Sequence, residues 1–164
     1  MGKTTARWAL YATMLLLVGC DHATKTVAKE ALSAGRVVTI ARGWLDLRYA
    51  ENFDTAFSLT RGWGSASKGT ALCLVAIATT AAVLVVAWKR RNVATRSEQI
   101  GMALVLAGAV GNTLDRVRRG YVVDFIHVHH WPVFNVADVL VVAGAVLLAT
   151  ATLGVGSLRA ARSG

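Results

Sequence analysis

Asp124 and Asp138 stand 14 residues apart, on either side of a polar segment that carries His127, His129 and His130. With Asp115 they place three of the chain's nine acidic residues within positions 115–138. Two carboxylates that meet cannot both ionise cheaply, so they share one proton. The ionised partner takes a proton from water, and the protonated one donates to a carbonyl oxygen or a leaving amine. That division of labour hydrolyses a peptide bond without a metal. Such a pair titrates as a unit with two apparent pKa values.

A plainer reading makes the same aspartates helix caps, or partners of Arg116, Arg118 and Arg119. Their surroundings weigh against caps alone. Asn112, Asp115, Arg116 and Asn135 lie close in sequence, and Asp21, Lys25 and Asn52 are candidates to join them in space. So many polar groups beside apolar runs exceed what two caps require. His127 and His129 would share a strand face and, with a carboxylate, offer a metal site. The chain has no histidine pair at helical i, i+4 spacing and no cysteine near these residues, so a wet interfacial loop is the simpler account. No metal or cofactor is expected. Ser58 and Ser97 have no evident base, and no phosphate-binding glycine loop is present.

The elements that must position these residues are apolar. Hydrophobic residues make up 55% of the 164-residue chain and charged residues 16%. That balance suits a single membrane domain over 1–164 better than a water-soluble core. Uncharged runs of 20, 16 and 20 residues follow Lys68, Glu98 and Asp138. A helix crosses the hydrocarbon in roughly 20 residues. The first apolar run, Trp8–Cys20, has only 13 residues and reaches full length by continuing through Asp21 and Lys25. The expected fold is mainly α: a four-transmembrane-helix bundle with spans near 8–31, 69–88, 99–115 and 138–158. Gly101, Gly108 and Gly111 make the third span central, because small residues let helices approach closely. Asn135 is placed to cap the fourth, with Asp138 in its first turn.

Between the first two spans, residues 33–64 are the longest polar stretch. Val37–Ile40 and Leu45–Tyr49 are rich in branched and aromatic residues, and the second alternates as a half-buried strand does. A small extracytoplasmic β-sheet is expected there, with Trp44, Tyr49 and Trp63 at headgroup level.

Four spans put both termini on one side. Eight basic residues lie in short segments at the two ends and in the Lys89–Arg96 link; nine lie on the other side. Short loops weigh most in the positive-inside rule, so both termini are expected in the cytoplasm and the carboxylate pair toward the extracytoplasmic face. The net charge of +9 is scattered among loops, which suits anionic lipid headgroups rather than nucleic acid. Cys20 and Cys73 are expected as buried thiols, not a disulfide. Leu17-Val18-Gly19-Cys20 looks like a lipoprotein processing site, but a mature lipoprotein is usually soluble and this one would keep three more spans.

At these motifs the chain resembles bacterial lipoprotein signal peptidase, the signal peptidase II family. Asp21-His22-Ala23-Thr24-Lys25 is similar to its first motif, and Glu51–Leu59 to its second. Gly111-Asn112 through Asp115-Arg116 and Gly120–Phe125 resemble the third and fourth, and Phe134–Asp138 the last. The resemblance covers nearly the whole chain, in the family's order. It implies an aspartyl endopeptidase of the bacterial inner membrane that cuts prolipoproteins just before a diacylglyceryl-modified cysteine. Asp124 and Asp138 would be the catalytic pair. Asp21, Lys25, Asn52, Asp54, Asn112, Asp115, Arg116, Asn135 and Ala137 would bind substrate or support the pair. The resemblance further implies membrane lipid as surroundings, the cyclic peptide globomycin as inhibitor, and a monomer. One departure stands out: Asp54-Thr55 replaces the family's usual Gly-Ala, which adds a side chain and a charge where glycine lets backbones approach. That leaves a non-catalytic or narrowly specialised lipoprotein-binding paralogue as the alternative, and a small transporter as a weaker one.

Overall fold

The computed structural model describes residues 3–53 and 65–160. Four long helices and three strands follow one another as α1 (Lys3–Leu32), β1 (Val37–Ala41), β2 (Leu45–Asn52), α2 (Ser65–Arg90), α3 (Arg96–Arg119), β3 (Val122–Val128) and α4 (Val136–Ala160). The protein is mostly helical, with one antiparallel sheet in the order β1-β2-β3.

Among the described residues, Gly69–Arg90 and Arg96–Arg119 are long and apolar enough to cross a membrane, and Val136–Ala151 is a shorter apolar stretch. α2 shows lipid-type patterning: Leu74, Val75, Ile77, Leu84, Val85 and Val86 all face outward. A helix that is apolar all round has no use for water on any face. α1 differs because Asp21 and Lys25 interrupt it; at i, i+4 they share one face and turn inward together.

α3 packs against each of the other three helices, as its small residues led us to expect. Its contact with α4 is a backbone-to-backbone fit. A Cβ on Gly108 would lie 2.3 Å from the Ala137 carbonyl oxygen, and one on Gly144 would lie 2.6 Å from the Gly101 carbonyl oxygen. Side chains at these points would force the helices apart. α3 opens with a capping box, in which Thr95 and Glu98 satisfy each other's backbone N–H groups. It closes on Gly120 in the left-handed region (φ 79°), whose N–H donates to the Arg116 carbonyl.

The sheet corrects the sequence reading. Within the expected sheet region the described residues, 33–53, supply two strands, but the third is Val122–Val128, part of the segment expected as a wet loop. Its first residues, Val122, Val123, Asp124 and Phe125, are buried, so it is the inner strand against the bundle. Phe125 joins Ala28 and Leu32 of α1 in a small core, with Leu47, Tyr49, Ile126 and Val136 packed on it. β1 is the exposed edge, and Trp44 is largely exposed beside it. A second correction concerns the thiols. Both cysteines are free, but neither is the buried thiol expected: Cys20 lies on the outer surface of α1 and Cys73 on α2 is half-buried. An apolar run hides a thiol from water without saying which face of the helix carries it.

Candidate active site

The site lies where the C-terminal part of α1, the end of α3, the start of α4 and strands β2 and β3 converge. α4 begins with a reciprocal cap. The Asp138 N–H donates to Asn135 Oδ1 (3.0 Å), and the Asn135 N–H donates to Asp138 Oδ2 (3.1 Å). This locks Asp138 in the first turn, where the positive end of the helix dipole favours a carboxylate.

Asn135 also ties the two sequence-distant carboxylates together. Its Nδ2 donates to Asp124 Oδ1 at 2.6 Å and to Asn112 Oδ1 at 3.1 Å. Asn112 in turn donates from Nδ2 to Asp138 Oδ1 at 2.8 Å. Asp124 receives a further bond from Asn52 Nδ2 at 2.8 Å. The register explains that contact. Ala50 pairs with Asp124 and Asn52 with Val122, so Asn52 and Asp124 are diagonal neighbours on one sheet face.

Beneath the pair lies a buried ionic group. Lys25 is fully buried (0% exposed), with Nζ 2.8 Å from Asp21 Oδ2 and 3.0 Å from Asp115 Oδ2. It also donates to Asn112 Oδ1 at 3.0 Å. With Lys25 and Asn135 both donating to that oxygen, the Asn112 amide has one orientation available, which aims its NH2 at Asp138. Asp21 Oδ1 accepts from the Ala137 N–H at 2.9 Å and so holds the first turn of α4 against α1. Asp115 is shared by Arg119 Nη1 at 2.7 Å and the Val123 N–H at 3.3 Å, which anchors the start of β3. The half-buried Arg116 guanidinium acts electrostatically on Asp124, Asp138 and Asp115.

The two aspartates differ in environment. Asp124 is buried and Asp138 half-buried. Burial pushes the Asp124 carboxyl up from 3.8 to about 6, and the negative Asp138 adds to the rise. The hydrogen bonds from Asn52 and Asn135 oppose it, as does the Lys25 charge. A group set in this way holds a proton at higher pH than an ordinary carboxyl and can serve as an acid.

The structure thus gathers Asp124, Asp138, Asp21, Lys25, Asn52, Asn112, Asp115, Arg116, Asn135 and Ala137 at one end of the bundle. Asp54, Thr55 and Ser58 lie outside the described residues. Arg119 was not among the expected site residues, although its i, i+4 spacing from Asp115 on a helix was visible in the sequence. Tyr121 was also missed: its hydroxyl meets Lys29 Nζ at 3.3 Å and the Tyr49 hydroxyl at 3.4 Å, and its ring packs on Phe53. Nothing in the sequence linked those four residues. His127 sits beside Arg48 and Asp46 at the far end of β3, away from the carboxylate pair. Among the described residues no group of histidine, cysteine and carboxylate side chains is arranged to hold a metal.

Two solved bacterial membrane enzymes share this fold. One superimposes with a TM-score of 0.76 at 25% identity, covering 89% of this chain and 88% of its own. The other gives 0.75 at 26% identity, covering 88% and 92%. Fold and site therefore define a helical membrane enzyme built around carboxylates. Residues 13–154 match the family model for signal peptidase (SPase) II, and the chain belongs to that family. A lipoprotein signal peptidase of Clostridium novyi is 36% identical over 134 residues, which is 79% of this chain and 86% of the relative. One from Serratia marcescens is 32% identical over 159 residues, covering 93% and 89%.

Proposed function

We propose that the protein is a membrane aspartyl endopeptidase that removes signal peptides from prolipoproteins, with Asp124 and Asp138 as its catalytic pair. One observation carries this reading. Two carboxylates from different elements are held in a single amide network at the end of a helical bundle, over a buried Lys25. Family membership supports the substrate class, because the similar proteins are lipoprotein signal peptidases.

All four helices span the bacterial inner membrane in this reading. The termini are cytoplasmic, and the carboxylate pair and sheet lie toward the extracytoplasmic face. A diacylglyceryl cysteine keeps its acyl chains in the bilayer, which brings the preceding peptide bond to the interface where the pair waits. Asp124, the more buried carboxyl, holds the shared proton. Ionised Asp138 takes a proton from water, and the resulting hydroxide attacks the carbonyl carbon while Asp124 donates to the carbonyl oxygen. Collapse of the tetrahedral diol returns a proton from one hydroxyl to Asp124 and breaks the C–N bond, while the proton held by Asp138 passes to the departing amine, which restores the pair. Asn112 and Asn135 keep both carboxylates in place throughout. Asp54, in a segment that carries part of the second motif, is assigned to substrate or inhibitor contact. The chain acts as a monomer, with globomycin competing for the site.

The test is a gel-shift assay of purified protein with a diacylglyceryl-modified prolipoprotein. Asp124→Asn and Asp138→Asn should each lower cleavage by at least about 100-fold while the protein still inserts. Globomycin should block the parent protein. Cleavage that survives either substitution would refute the assignment of the pair. Precursor binding without any cleavage by the parent would make it a non-catalytic paralogue.

A further inference from the structure

α1 and α2 both pack on α3, and between them opens an apolar cleft of about 300 Å³. Leu10 and Met14 of α1, Leu84 and Trp88 of α2, and Met102 and Leu106 of α3 line it. It lies at the end of the bundle opposite Asp124 and Asp138, so the proposed catalysis makes no use of it. Its mouth is cationic. Arg91 lies on the wall with its guanidinium 3.9 Å from the Trp88 ring centre, and its Nη1 donates to the Trp88 carbonyl at 2.6 Å. Lys89, Arg90 and Arg96 surround the same link. The only acidic residue in this part of the sequence is Glu98, which is occupied by Arg90 at 2.7 Å and by the Thr95 N–H at 2.7 Å.

We propose that this cleft is a binding site for an anionic glycerophospholipid, with an acyl chain between α1 and α2 and the phosphate at the Arg91 mouth. The claim goes beyond the peptidase reading and shares only its placement of the helices in a bilayer. Charge decides the occupant. A hydrocarbon slot beneath a positive rim at a membrane boundary matches a lipid with an apolar tail and a negative head. The competing occupant is the signal peptide of the substrate, whose apolar helix also needs a groove. Its n-region is positively charged, and this rim would repel it. A bound chain would fill the side of the bundle where, among the described residues, α2 packs chiefly on α3, with Thr80 tied to Thr113 at 2.9 Å. The lipid would therefore act as a structural partner of α2.

The full-length protein in detergent would be incubated with phosphatidylglycerol or phosphatidylcholine of the same acyl length, and retained lipid counted by native mass spectrometry. A phosphatidylglycerol carrying a diazirine in its acyl chain would then map the site by cross-linking. The proposal expects preferential retention of phosphatidylglycerol and adducts at Met14, Leu84 or Met102. Arg91→Gln should lower the preference by about fivefold. Ala103→Phe, which fills the cleft from α3, should abolish the adducts. Peptidase activity of the same preparations reports folding independently, since neither residue belongs to the catalytic machinery. Equal retention of both lipids, adducts scattered over the lipid-facing surface, or displacement of the lipid by a signal-peptide substrate would each overturn the proposal.

Discussion

Asn135 is the residue on which the geometry of the pair turns. Its backbone and side chain together touch Asp138, Asp124 and Asn112. Its side chain was legible in the sequence as a helix cap, but the cap explains only half of what it does. Its NH2 reaches a strand that sequence reasoning had taken for a loop. The pH behaviour of Asp124 belongs to this scale. Burial pushes its carboxyl up from its ordinary 3.8 to about 6 in the folded protein. Between those values the folded protein keeps a proton that the unfolded chain has lost, so stability falls as pH rises across that window. Asp124→Asn removes this dependence. Thermal unfolding in detergent should show the variant gaining on the parent by up to about 3 kcal/mol between roughly pH 4 and pH 6. Asn52 and Asn135 donate to different oxygens of Asp124, and in the amide one of those oxygens becomes an NH2 that faces another donor, which lowers the variant's baseline at every pH. Only the change with pH is diagnostic, and parallel curves would contradict the burial argument.

At the scale of elements, the α3–α4 contact carries the site. Gly108 lets α3 approach the carbonyl of Ala137, one residue before Asp138. Gly108→Ala would place a methyl group 2.3 Å from that oxygen. Overpacking of this kind costs about 1–3 kcal/mol. The variant should unfold at lower temperature and lose activity as well, because the first turn of α4 must shift. Gly19→Ala on α1 is the control, since a Cβ there meets nothing within 4 Å. A Gly108→Ala protein with parental stability and turnover would show that the two helices have slack. The helices themselves were legible from runs of uncharged residues, and the centrality of α3 from its small ones. β3 was not. Its polar histidines suggested water, and the pairing that makes it a strand comes from β2, some 75 residues earlier in the chain.

For the whole molecule, the question is how the bundle sits in its membrane. The proposed placement puts the sheet and the α2–α3 link on opposite sides. Val38, on β1, and Val93, in the link, are both exposed. After replacement of Cys20 and Cys73, a membrane-impermeant thiol reagent applied to intact spheroplasts should label Val38→Cys and spare Val93→Cys. Inverted vesicles should give the reverse pattern. Labelling of both positions from one side would reject the four-span arrangement, and a swapped pattern would reject the orientation.

Chemical identity was local, and the sequence alone determined it: which carboxylates, amides and bases exist, which runs are apolar, and which motifs follow in what order. Proximity was not local, and only the tertiary structure decided it. Lys25 and Asn112 are 87 residues apart in the chain and 3.0 Å apart in space. Ala137 and Asp21, 116 residues apart, meet at 2.9 Å. The physical reason is that a buried charge or amide needs partners from wherever the fold can bring them, and hydrophobic periodicity says only which way a residue faces. The same limit applies to Cys20, whose position was legible although its outward face was not.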